Sequence, residues 1–223
     1  MAKKQNNTKN KSVDTELTTT ENFLDRNKKL FLIIGGVVIA LLIVFIGYQK
    51  LIKEPKNTES QEVVFAPFYD FENDSIDRAI NGTDNYLGMA DIAIDYKGTS
   101  GGDIANYTMG IMLMEKGEYA EAVEYLENCD FADVMIGNLC IGLIGDCYVE
   151  LGEFDKAAKF FEKAANREVN EFTTPLFLKK AGLVREELGE KAAANKHYKR
   201  IKDEYPRTEQ GNDIDRYIGR TNS

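Results

Sequence analysis

One run of the chain has no polar face at all. Residues 30–48, LFLIIGGVVIALLIVFIGY, carry no charge. At 1.5 Å per residue a helix of that length spans roughly 28 Å, close to the hydrocarbon thickness of a bilayer. A buried helix of a water-soluble protein normally keeps a polar stripe, and its absence predicts a transmembrane helix. The rival reading is a cleavable signal peptide, whose apolar core runs about 7–15 residues and ends in a small-x-small site. Here the run is longer and closes on Phe45-Ile46-Gly47-Tyr48-Gln49-Lys50, a poor cleavage sequence, with no Cys just behind it for a lipid anchor. Gly36 and Ala40 make one small-xxx-small pair. Such pairs let membrane helices pack closely, as in a homodimer, although a single instance also arises by chance.

Polar stretches flank this run. Residues 1–29 hold too few apolar side chains to offset ordering, so they are expected to form a disordered tail. Residues 49–68, with Pro55, are expected to be a linker. Lys3, Lys4, Lys9, Lys11, Arg26, Lys28 and Lys29 precede the apolar run, and Lys50, Lys53 and Lys56 follow it. The positive-inside rule then places the N-terminus in the cytoplasm and the larger domain outside it.

Beyond residue 68 the pattern becomes helical and repeats itself. Gly110, Leu113, Gly117, Tyr119, Ala122, Leu126 and Cys129 align without a gap on Gly145, Tyr148, Gly152, Phe154, Ala157, Phe161 and Ala164, at an offset of 35. A third copy, Gly182, Gly189, Ala194, Tyr198 and Ile201, follows at an offset of 37, the extra length fitting the stretch 170–175. A period of this size signals a solenoid of helical hairpins. Tiny residues belong where two helices cross closely: Gly110, Gly145 and Gly182 on the first helices, Ala122, Ala157 and Ala194 on the second. Gly117, Gly152 and Gly189 belong at first-helix ends, where a left-handed cap favours glycine. The fold class is therefore all-α, with repeats at about 103–136, 138–171 and 175–208 inside a domain of 69–220. Asp95-Tyr96 echoes Glu204-Tyr205, and Ile92 echoes Ile201. A degenerate hairpin is thus expected at 70–99, with helices near 72–80 and 85–96 and with Ile76, Ala79 and Ile80 inward. A capping helix is expected at 210–219, packing Ile214, Tyr217 and Ile218 back on the last repeat.

Charge divides the chain sharply. Residues 1–56 carry a net +5 and the remainder −14, within a total of −9. So acidic a domain repels phosphate backbones, which excludes nucleic acid as a partner and favours basic proteins. Three cysteines, Cys129, Cys140 and Cys147, make no disulfide framework. Cys140 and Cys147 lie about 10 Å apart on one expected helix, too far to bridge. Small apolar packing residues are the plain reading of all three. His197 is the only histidine, placed by its spacing on a solvent-facing edge, and it cannot make a zinc site with cysteines so scattered. Gly101-Gly102 lacks the Lys-Ser/Thr of a phosphate loop and reads as a helix start. Acidic pairs such as Glu186-Glu187 are ordinary on solvated helix faces. No metal, cofactor or enzymatic site is expected.

The repeat resembles the tetratricopeptide repeat, departing from it at Asn106 and Ile141, where that family often carries tryptophan. The layout of anchor, linker, degenerate hairpin and three copies resembles the ancillary tetratricopeptide subunit of the bacterial Sec translocon, the YfgM-like family, in versions from Bacteroidetes-type bacteria. The resemblance covers residues 22–219. It implies an inner-membrane protein whose repeat domain faces the periplasm and meets translocon subunits, periplasmic chaperones or emerging chains; a structural assembly factor of another envelope complex is the alternative. In the tetratricopeptide family first helices line the concave face. Carried over, this places Tyr107, Ile111 and Met114, then Asp146 and Val149, then Lys179, Leu183 and Glu186 on a candidate protein-binding surface. A carboxylate clamp is disfavoured, because no cluster of Lys and Arg lies there. Deleting residues 30–48 should yield a soluble domain with a helical circular-dichroism spectrum; a spectrum dominated by strand would refute the fold.

Overall fold

A computed structural model describes residues 3–222, with side chains from Arg26 onward, and the chain divides at Pro55 into two compact units. The first unit is α1 (Lys3–Tyr48) followed by a π-helical turn, Gln49–Lys53. Within α1 lies a segment long and apolar enough to cross a membrane, with a mean hydropathy of 3.1 and none of it buried. Val44, for example, is 70% exposed. The tail expected to be disordered is helical from Lys3; residues 1 and 2 lie outside the described part. No glycine or proline occurs between Lys3 and Ile34, so no breaker stops a helix from propagating through it.

The second unit is a stack of short helices: α2 (Glu54–Val63), α3 (Phe65–Glu72), α4 (Ile76–Asn81), α5 (Met89–Asp95), α6 (Ser100–Glu115), α7 (Tyr119–Leu126), α8 (Val134–Glu150), α9 (Phe154–Arg167), α10 (Thr173–Glu187), α11 (Lys191–Glu204), α12 (Glu209–Asn212) and α13 (Ile214–Thr221). Three hairpins, α6–α7, α8–α9 and α10–α11, carry the repeat. In each, a Cβ on the first-helix glycine would strike a large side chain of the second helix. The gap would be 2.5 Å from Gly110 to Leu126, 2.6 Å from Gly145 to Phe161 and 2.3 Å from Gly182 to Tyr198. Ala122, Ala157 and Ala194 are fully buried on the other side of the crossing. Burying a ring such as Phe161 this way stabilises by about 1.5–3 kcal/mol. Gly117, Gly152 and Gly189 have φ of 79°, 73° and 75°, the left-handed ends expected of these first helices. The core forms two apolar clusters, Val64 to Cys147 and Ala157 to Ile214, with Tyr148 packed on both.

Helix starts follow local chemistry. Thr99 Oγ1 accepts from the Gly102 N–H at 3.2 Å, and Asp133 Oδ1 accepts from the Met135 and Ile136 N–H groups at 2.9 and 2.8 Å. Asn170 Oδ1 does the same for Phe172 and Thr173 at 2.9 and 2.8 Å. These caps satisfy donors that have no partner inside the helix. They start α6, α8 and α10 slightly ahead of the repeat boundaries expected from sequence.

The ends depart further from expectation. The degenerate hairpin opens with α4, preceded by α3, and its connection is a two-stranded ribbon, β1 (Gly82–Thr83) paired with β2 (Tyr86–Leu87). Helix α5 accordingly starts at Met89 rather than at residue 85. Gly82 at φ 72° and Gly88, where a Cβ would lie 2.1 Å from the Ile80 carbonyl oxygen, close the ribbon too tightly for a helix there. Ala79 is fully buried, with Ile76 and Ile80 packed on the core. At the far end the capping helix breaks at Asp213 into α12 and α13, with Ile214, Tyr217 and Ile218 packed inward.

The stretch expected to be a linker is folded. Ser60 on α2 is fully buried. Ser60 Oγ accepts from the Gly101 N–H at 3.1 Å, Asn57 Oδ1 accepts from the Ser100 N–H at 2.7 Å, and the Tyr96 hydroxyl donates to Glu59 at 2.8 Å. Helix α2 thus supplies acceptors to the exposed N–H groups that open α6. A Cβ on Gly101 would lie 2.1 Å from the Ser60 carbonyl oxygen, so only glycine permits this backbone contact. Gly101→Ala should push α2 off α6 and lower stability by about 1–3 kcal/mol; an unchanged urea midpoint would show that the contact is not made.

Candidate protein-binding faces

The eight residues expected on the first-helix face divide into two groups. Tyr107, Ile111 and Met114 follow one another along one side of α6, and Val149 and Leu183 stand on α8 and α10. All are partly exposed, Leu183 most at 37%. The Tyr107 ring meets Phe131 edge-on at 5.8 Å. Burial, followed by the nearby Cys140 and Cys129 thiols, raises the pKa of its phenol.

The charged members are engaged within the solenoid. Lys180 Nζ donates to both Asp146 carboxylate oxygens at 2.7 Å. Lys179 Nζ lies 3.1 Å from Asp213 Oδ1 and 4.7 Å from the centre of the Tyr217 ring. The Lys179 hydrogen bond holds the Asp213 carboxyl below its ordinary range. Arg220 Nε reaches Glu186 at 2.7 Å. These pairs join residues 34 apart, one repeat length. Two positions read as ligand-facing, Lys179 and Glu186, are therefore held by α12–α13 and its neighbouring turn. The sequence pattern of a single hairpin does not contain that partner.

Cavities of the solenoid lie on the opposite side, between successive second helices. One, about 970 Å³, is lined by Glu162 and Asn166 of α9, Arg185 of α10, and Lys196, His197, Lys199, Arg200 and Asp203 of α11. A second, about 530 Å³, lies among the end of α7, the following loop, α8 and α9, and includes Cys129, Cys140, Phe160 and Arg167. A third separates α5 from α7 and is lined by Ile94, Lys97, Glu121, Glu124, Tyr125 and Asn128. Sequence reasoning missed these grooves because each is built from residues about one repeat apart. A local signal exists only in the charged residues that recur on each second helix.

His197, expected at a solvent edge, is instead 16% exposed at its side chain, with Nε2 3.1 Å from Glu162 Oε1. Arg185 donates to the same carboxylate oxygen at 2.9 Å and to Glu190 at 2.8 Å. Burial lowers the imidazole pKa; Glu162 opposes the shift and Arg185 and Lys196 add to it. Among the described residues no group of three or more His, Cys, Asp or Glu side chains is placed to hold a metal ion.

The lowered pKa sets a sign. As pH falls through the ordinary imidazole range, about 6.5, the unfolded chain binds a proton that the folded chain resists, so stability drops. Urea midpoints should fall between pH 7.5 and pH 5 by more in the natural chain than in His197→Gln; an identical fall in both would remove His197 as a contributor.

Comparison with known proteins agrees with the hairpin geometry. Residues 104–130 and 140–168 match one tetratricopeptide repeat family, and residues 180–208 match a second. Those ranges follow α6–α7, α8–α9 and α10–α11. No curated protein matches the sequence. Three solved chains are similar to it, among them the crystal structure of PcrH from Pseudomonas aeruginosa, at 17% identity and a TM-score of 0.45, covering 56% of this chain and 95% of that one. The family matches and the glycine-centred hairpins together identify the chain as one that carries three tetratricopeptide repeats, a protein–protein interaction scaffold.

Proposed function

We propose that this scaffold is anchored in a bacterial inner membrane by residues 30–48, with a cytoplasmic N-terminus and a periplasmic repeat domain, and that it serves as an ancillary adaptor between the Sec translocon and periplasmic chaperones or emerging chains. The observation that carries the reading is the conjunction of an uncovered apolar helix with a tetratricopeptide solenoid in one chain. The lysines and arginine ahead of the apolar run support the orientation. The net −14 beyond residue 56 supports basic protein partners and disfavours nucleic acid. The partly exposed Tyr107, Ile111, Met114, Val149 and Leu183 support docking of an apolar or extended segment on the first-helix face.

A second reading is an assembly factor of another envelope complex, gripping partners with its second helices. The three grooves on that side favour it. Photo-crosslinkers placed at Ile111 and at Lys199 in native membranes separate the two. Translocon subunits or chaperones captured from Ile111 are the expected result. Capture of outer-envelope components alone, or only from Lys199, would sink the adaptor reading.

A further inference from the structure

Two of the three cysteines come together although the chain separates them by a helix end and a loop. Cys129 follows the last turn of α7, and Cys140 sits in the second turn of α8. Both line the cavity among α7, α8 and α9 and both reach the Leu126 carbonyl oxygen; the nearness of Cys140, together with burial, raises the pKa of the Cys129 thiol. Cys140 is 3% exposed, whereas Cys129 is only partly buried.

The surroundings hold this pairing in place. Arg167 Nη2 donates to the Phe131 carbonyl at 2.6 Å, and the Asp130 N–H donates to Asp103 Oδ1 at 3.1 Å. The loop bearing Cys129 is thereby fastened to α9 on one side and α6 on the other. The Cys140 thiol donates to the Leu126 carbonyl at 3.4 Å, and that carbonyl also accepts the Cys129 N–H at 3.2 Å. Loss of the thiol proton would therefore leave no backbone group unpaired. Cys147, seven residues further along α8, is fully buried and about 10 Å away by helix rise.

We infer that Cys129 and Cys140 form an intramolecular disulfide that ties the loop between the first two repeats to α8. The oxidant is a small-molecule or protein disulfide. The more accessible Cys129 thiolate attacks one of its sulfur atoms and releases the other as a thiol, leaving a mixed disulfide. The Cys140 thiolate then attacks Cys129 Sγ, forms the Cys129–Cys140 bond and releases the second thiol. Two cysteine thiols lose two electrons and two protons, and one oxidant disulfide becomes two thiols. Closure asks for an S–S length of about 2.0 Å; Cys129 lies beyond the end of α7, so the adjustment breaks no helical hydrogen bond. The bridge does not depend on the adaptor reading, since it rests on side chains within the repeat domain.

The test uses the full chain in detergent, exposed to oxidised glutathione, acid-quenched, unfolded and alkylated. Cleavage before aspartate at Asp130, Asp133 and Asp146 puts the three cysteines on separate peptides. The expected product is the Cys129 peptide linked to the Cys140 peptide, two hydrogens lighter than their sum, with Cys147 alkylated. Cys147→Ser should leave the link unchanged, and Cys140→Ser should stop at a glutathione adduct on Cys129. Alkylation of all three cysteines, a stable glutathione adduct on Cys129 of the natural chain, or a Cys129-linked dimer would overturn the inference.

Discussion

Each hairpin depends on one contact, a large side chain of the second helix lying flat on a glycine of the first. Phe161 over Gly145 and Tyr198 over Gly182 leave no room for even a methyl group. Helices that approach this closely exclude water along their seam and bury Ala157 and Ala194 completely. The rest of the stack follows. A left-handed glycine turns the chain back, the two helices of a pair share one apolar seam, and each pair presents a fresh face to the next. The Phe161 and Phe177 rings, 6.2 Å apart and nearly parallel at 13°, carry that packing from one repeat into the following one.

Polar groups then set the register between repeats. Asn138 Nδ2 donates to Thr173 Oγ1 at 2.9 Å, Lys180 to Asp146 at 2.7 Å and Arg200 to Asn166 at 2.7 Å, over separations of 35, 34 and 34 residues. Asn138 and Thr173 are buried, whereas the more exposed Lys180–Asp146 and Arg200–Asn166 pairs add little stability singly. Their recurrence at one repeat length fixes how each hairpin sits on its neighbour. They also decide which groups remain for a partner. Charges that sit on first helices are largely spent between helices, and the apolar Ile111, Met114 and Val149 are what a ligand would meet there.

Much of this was legible before any coordinates. The 35-residue spacing of glycine, alanine and aromatic positions names the hairpins and which residues meet in them. Position within a period was enough, because every copy solves the same steric problem. The first-helix face was legible only in part: Tyr107, Ile111 and Met114 could be placed on α6, but the engagement of Lys179 and Glu186 depends on how α12 and α13 fold back. His197 shows the same limit, since its burial comes from Glu162 and Arg185 on two other helices. Helix α2 was misread for a related reason. Its polar composition describes a tether, yet the half-buried Asn57 and the buried Ser60 accept from N–H groups more than forty residues away.

The amino-acid order alone determined an apolar segment long enough for a bilayer, an acidic domain and three helical hairpins, because hydrophobic run length, net charge and repeat period are properties of the chain read in one dimension. Tertiary structure decided which polar groups are consumed, where the grooves lie, and that Cys129 meets Cys140 rather than Cys147. Those outcomes depend on distances between segments far apart in sequence, and packing of one repeat on the next is what sets them.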